Sequence, residues 1–165
     1  MDRIHRLLRQ YPSQEKVAMV MLRHGISVKD GKAYCGSIEQ SDAAIARAAD
    51  VDHRVVRSAI SRIDSTPELS AIFSRVRPTL LMSDMASEIG CSAIEIVPTD
   101  ATIPGILAEI TGVIYKQGLS VRQAVVDDPG NRMESHLIVV VDGTIPAYVI
   151  PLIKGCRGVS SVIVR

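Results

Sequence analysis

The chain has 165 residues, enough for one domain or two small ones, and at 47% hydrophobic content it can bury a sizeable core. Aromatic residues make up only 3%, with one Phe and no Trp, so that core has to be aliphatic. Net charge is +1, and the three cysteines (Cys35, Cys91, Cys156) are widely spaced without a CxxC pair, which argues against a disulfide framework or a zinc site and suits a reducing cytosol.

The N-terminal run MDRIHRLLRQYPSQEK is charged throughout and does not read as a signal peptide. No apolar run approaches the ~20 residues of a membrane helix. A cytoplasmic protein without a membrane partner is expected. Residues 1–76 hold 12 Lys and Arg against 9 Asp and Glu, and residues 77–165 hold 7 against 9. That asymmetry permits nucleic-acid contact by the first half without demanding it.

Ser13 is placed to cap a helix from Gln14 to His24, stopped by Gly25. Ile26 to Cys35 alternates around Lys29-Asp30-Gly31-Lys32 and predicts a short hairpin. Ser41 caps a small-residue helix, Asp42 to Ala49. After the turn Asp50-Val51-Asp52, a further helix runs from His53 to about Ile63, with Val55, Val56, Ala59 and Ile60 inward. His53, Arg54, Arg57, Ser58, Ser61 and Arg62 fall on its outer face. This pair reads as a helix-turn-helix, because a recognition helix needs apolar residues inward and long donors outward for phosphates and base edges. The hairpin then reads as a wing carrying Lys29 and Lys32. Trihelical modules also serve purely as protein-docking units, so both readings stand here.

Thr66-Pro67 restarts a helix that Arg77-Pro78 breaks, and Ser83 or Asp84 caps another that ends near Gly90. The expected organisation is a helix-turn-helix region over 1–66, a helical connector over 67–90 and a second domain over 91–165. From Cys91 the pattern is β-α-β-β-α-β. Strands are predicted near 92–97, 119–127, 135–141 and 159–164, with helices over 104–116 and about 146–154. Pro151 is tolerable only if the second helix starts late. The run Leu137–Val141 is apolar on both faces, so the sheet face away from the helices is expected to meet another surface.

The stretch IEIVPTDATIPGILAEITGVIY, Ile94 to Tyr115, is the most informative. A strand-like run stops at Pro98, a polar loop follows, and Pro104-Gly105 opens a helix with Ile106, Leu107, Ile110, Val113 and Ile114 on one face. Backbone amides at such a start suit a small anionic or zwitterionic group. This order, with Gly118-Leu119-Ser120-Val121 after the first helix, resembles the ACT domain over residues 91–165. The Asp100-to-Gly105 run and Arg122-Gln123-Ala124-Val125 make the whole chain similar to predicted archaeal regulators of amino-acid metabolism, which carry a helix-turn-helix before their ACT domain. The resemblance implies an α+β chain: a helical helix-turn-helix region, with or without a wing, followed by a ferredoxin-like βαββαβ domain.

It also implies a small amino acid bound at a homodimer interface by the loop Asp100, Ala101, Thr102, Ile103, Pro104, Gly105, Ile106 and Leu107. Asp100 would hold the amine, and the amides of Gly105, Ile106 and Leu107 the carboxylate. Asp100 lies four positions before Pro104, whereas the family's acid or amide lies one or two before Pro-Gly. Gln123 is placed to face the loop or a partner. DNA is the expected partner of His53, Arg54, Arg57, Ser58 and Arg62. The alternative is a regulatory subunit that controls a metabolic enzyme by protein contact.

Catalysis finds little support. His5, His24, His53 and His136 are scattered, and Cys35 and Cys91 read as small buried residues. No P-loop or dinucleotide fingerprint occurs, so no cofactor is expected. Asp127-Asp128 precedes Pro129-Gly130-Asn131 and reads as a turn rather than a metal site. The strands lack the aromatics of RNA-binding ferredoxin-like domains, and the CxxC of metal chaperones is absent.

Overall fold

In the computed structural model residues 2–127 and 135–165 are described. The chain divides into two compact units, Met1–Leu80 and Leu81–Arg165.

The first unit opens with α1 (Asp2–Leu8), which the charged N-terminal sequence did not suggest. Its i, i+4 pair Ile4 and Leu8 is buried and anchors it. Helix α2 (Pro12–Arg23) starts one residue before Ser13, because Pro12 takes its first turn and no side chain caps it. The hairpin forms as expected from β1 (Ile26–Lys29) and β2 (Lys32–Cys35). Asp30 and Gly31 sit at φ 50° and 71°, the left-handed pair that a two-residue turn requires. A third strand, β3 (Ile38–Gln40), pairs with β2 and was not anticipated from its three mostly polar residues.

Helices α3 (Asp42–Ala49) and α4 (His53–Ser65) follow, joined by Asp50-Val51-Asp52. Both caps are the expected ones: Ser41 Oγ accepts from Ala44 N–H at 3.2 Å and Asp52 Oδ1 from Arg54 N–H at 2.8 Å. That backbone bond holds the Asp52 carboxyl below its ordinary range. Helix α5 (Pro67–Phe73) adds Leu69 and Phe73 to a core with Leu8, Val17, Met21, Val56, Ile60 and Ile63. Gly25 lies so close to Pro78 that a Cβ would sit 2.5 Å from its Cα.

In the second unit two 3-10 turns, Ser83–Met85 and Ser87–Ile89, replace the single helix expected before Gly90. Residues 67–90, expected as one connector, are thus shared between the two units. Then come β4 (Cys91–Pro98), α6 (Ile106–Lys116), β5 (Val121–Asp127), β6 (His136–Asp142), α7 (Val149–Lys154) and β7 (Val159–Val164). The sheet order is β5-β6-β4-β7, antiparallel throughout, which is the ferredoxin-like arrangement. Ile94, Ile96, Leu137, Val139 and Val141 on one face pack against Ile110, Ile114, Val149 and Ile153 of the two helices. Helix α7 begins at Val149, so Pro151 does fall in its first turn. The Asp127–Asn131 turn lies, beyond its first residue, outside the described residues, and with it the Asp127-Asp128 pair.

The chain itself covers part of the opposite face, the one expected to meet another surface. Val140 is buried there with Cys91, Ala93 and Ala86, beneath the chain's own 3-10 segment. Nearby, Glu95 is a buried carboxylate on the same face, accepting from Arg165 Nε at 2.8 Å and Nη2 at 2.5 Å and bonded to His136 Nδ1.

Candidate functional site

Strand β4 ends in a register shift at Val97/Pro98, and the chain leaves the sheet there. Asp100 organises the loop: its Oδ1 accepts from Thr102 N–H at 2.8 Å and Thr102 Oγ1–H at 2.7 Å. Ile103 N–H closes the turn onto Asp100 O at 3.2 Å. The connection between α7 and β7 supports it from the side. Thr99 N–H donates to Gly158 O at 2.9 Å, and a Cβ on Gly158 would lie 2.9 Å from Ile106 Cγ1. Arg157 N–H donates to Glu109 Oε2 at 2.9 Å, which ties the same connection to the first turn of α6.

Gly105 is the N-cap of α6 at φ 92°, where an L side chain is strained, and no side chain caps the helix. The helix therefore starts at Ile106, two residues later than Pro104, because Gly105 breaks the helical conformation. The amides of Ile106, Leu107 and Ala108 have no carbonyl of their own helix to reach. Their dipoles sum to a positive end that favours an anion.

Beside this start is a recess of about 190 Å³ lined by Pro98, Ala101, Ile103, Gly105, Ile106, Leu107, Val126, Ser135, His136 and Leu137. Five expected ligand residues, Ala101, Ile103, Gly105, Ile106 and Leu107, are brought together there. Asp100, Thr102 and Pro104 do not line it, and the Asp100 oxygen bonded to Thr102 shapes the loop instead.

Gln123 is separated from the loop. It pairs across from Val140, on the face away from the helices, and its Oε1 accepts from Met82 N–H at 2.8 Å. Strand parity decides this: the bulge between Val121 and Gln123 puts Val126, not Gln123, on the helix face opposite Leu137. Arg122 is exposed and paired with Asp142 at 3.6 Å. Pro98, Val126 and the 135–137 segment were missed as site residues. Val126 and residues 135–137 read as parts of strands and Pro98 as a strand end, and only the β5–β6 register brings Val126 and Leu137 together beside the loop.

Gly105→Ala is expected to destabilise the C-terminal unit by about 1–2 kcal/mol through its φ alone. A Cβ there meets nothing within 4 Å. Urea denaturation of the variant checks it.

In the first unit, His53, Arg54, Arg57, Ser58 and Arg62 all lie on α4. Arg54 is 85% exposed, with its Nε 3.8 Å from the Asp52 carboxylate. Arg57 is exposed but paired to Asp42 at 3.2 Å, and Lys32 of the hairpin is paired to Glu39 at 2.9 Å. Arg62 departs from its expected outward role: its guanidinium stacks 3.5 Å from the Tyr11 ring centroid, and its Nε donates to Gln14 Oε1 at 2.6 Å. It fastens α4 to α2. A shallow groove beside it is lined by Gln14, Arg57, Ser58, Ser61, Arg62 and Ser65.

Among the described residues, no group of three or more His, Cys, Asp or Glu is placed to hold a metal, and no helix is long and apolar enough to cross a membrane. His136, bonded to Glu95, and His5, bonded to Glu15, have settings the sequence did not foreshadow.

The fold and recess define the C-terminal unit as a ferredoxin-like α/β sandwich with an open apolar recess at its first β-to-α crossover. No family model matches the chain, and no curated protein matches it in sequence. Among solved structures, the ACT domain from the GTP pyrophosphokinase of Chlorobium tepidum is similar at 19% identity and a TM-score of 0.36, covering 46% of this chain and 96% of that one.

Proposed function

We propose that the C-terminal unit is an ACT-type effector domain that binds a small amino acid at the 98–107 loop, in a regulator of amino-acid metabolism. The observation that carries this is the uncapped start of α6 opening beside an apolar recess. The two surfaces match the two ends of an amino acid. The backbone amides at Gly105, Ile106 and Leu107 take the carboxylate, and the recess takes the side chain. With one Asp100 oxygen engaged by Thr102, the amides are the main polar anchor. Calorimetric titration of the full chain with amino acids should give a saturable heat. A flat titration at millimolar ligand overturns the reading.

In this proposal the output is DNA binding by α4 in a homodimer, with the ligand shifting how two such helices are spaced. Only a difference in its affinity for two arrangements can do so. Arg54 and Ser58, outward on α4, support it. A second reading, protein contact with a metabolic enzyme, draws on the pairing of Lys32 and Arg57 with acids and the tethering of Arg62. Salt separates the two. DNA affinity that falls steeply with salt, and whose slope Arg54→Ala reduces by about 1, supports DNA binding. Enzyme capture without any DNA shift supports the second.

A further inference from the structure

The recess beside α6 is aliphatic on facing sides. Ile103, Ile106 and Leu107 come from the loop and helix, and Val126 and Leu137 from cross-strand partners on β5 and β6. Neither Lys, Arg, Asp nor Glu lines it among the described residues. Its volume of about 190 Å³ sits slightly above the roughly 150 Å³ of a cavity that holds benzene. Scaled by heavy atoms, that is room for roughly seven or eight.

Resting on the reading of this loop as an amino-acid site, we propose that the ligand is an amino acid with an apolar side chain between valine and phenylalanine in size. A charged side chain would surrender its hydration with no Lys, Arg, Asp or Glu among the described lining residues to meet. Alanine would leave part of the recess unfilled and forgo roughly a factor of four in affinity per missing methylene. Valine, leucine and isoleucine side chains fit it, and so does the phenylalanine side chain, a benzene ring with one further carbon. The side-chain class thus follows from the recess and the loop's affinity for amino acids from the amides, so the two fail separately.

Thermal shift of the full chain against valine, leucine, isoleucine, alanine, aspartate, lysine and phenylalanine tests this, since a ligand of the native state raises the melting temperature. Valine, leucine, isoleucine and phenylalanine should half-saturate at concentrations roughly tenfold below alanine, and aspartate and lysine should give no shift. Aspartate, lysine or alanine acting as well as valine overturns the side-chain class and leaves the loop reading standing. No shift from any amino acid overturns both. Leu107→Asp, a helix-compatible change in the first turn, should keep the unliganded melting temperature and abolish the valine shift. Val126→Asp puts the same charge on the opposite wall and should do likewise. Either folded variant retaining wild-type valine affinity overturns the proposal.

Discussion

Phe73→Ala is expected to lower the stability of the N-terminal unit by about 3–5 kcal/mol, the range for deleting a buried phenyl ring. Phe73 is the only Phe in the chain and is fully buried at the end of α5. Around it the core is built from Leu, Ile, Val, Met and Ala side chains. Such a core has no second ring with which to close the gap, so both the transfer term and the cavity term are lost. The effect rivals the whole margin of a small domain. Urea denaturation followed by circular dichroism reads it as a lower midpoint. A loss below about 1 kcal/mol would mean that α5 does not pack into this core.

The second large effect is on acid stability of the C-terminal unit. Arg165, hydrogen-bonded to the buried Glu95, holds its carboxyl below the ordinary carboxylate range; burial opposes this and His136 assists it. A depressed folded pKa contributes stability above the unfolded value, about 4.3, and that contribution is lost as pH falls through the folded value. Wild type should therefore lose stability below about pH 4.3. Glu95→Gln should be less stable by about 1–3 kcal/mol at neutral pH, where charge-assisted bonds are lost, and should lose less on acidification. Arg165→Met removes the main cause of the depression, so its acid transition should move to higher pH. Urea midpoints across the acid range check all three. Parallel pH profiles for wild type and Glu95→Gln would refute the role of Glu95.

How far the sequence foretold these features depended on range. Local chemistry was legible: Asp30-Gly31 specified the hairpin turn, Ser41 and Asp52 the two caps, and Pro151 the late start of α7. The βαββαβ order followed from period and turn residues, and Gly105 marked the helix start. What depends on register or on distant pairing was not legible. Gln123 and Val126 exchange roles because a bulge resets the parity of β5. Glu95 and Arg165, 70 residues apart, meet only once β4 and β7 pair. Arg62 looked like an outward cation until Tyr11 and Gln14 came beneath it. The apolar outer face of β6 suggested a partner surface, and the chain's own 82–90 segment fills part of that place.

The most direct test of the effector site is a backbone amide nuclear magnetic resonance titration of the full chain with valine. The proposal predicts that the amides of Gly105, Ile106 and Leu107 shift together and saturate with a single affinity, while those of α4 residues Arg54 and Arg57 do not define the binding curve. Saturable shifts confined to residues away from 98–107, or no shift at millimolar valine or any other amino acid, would contradict it.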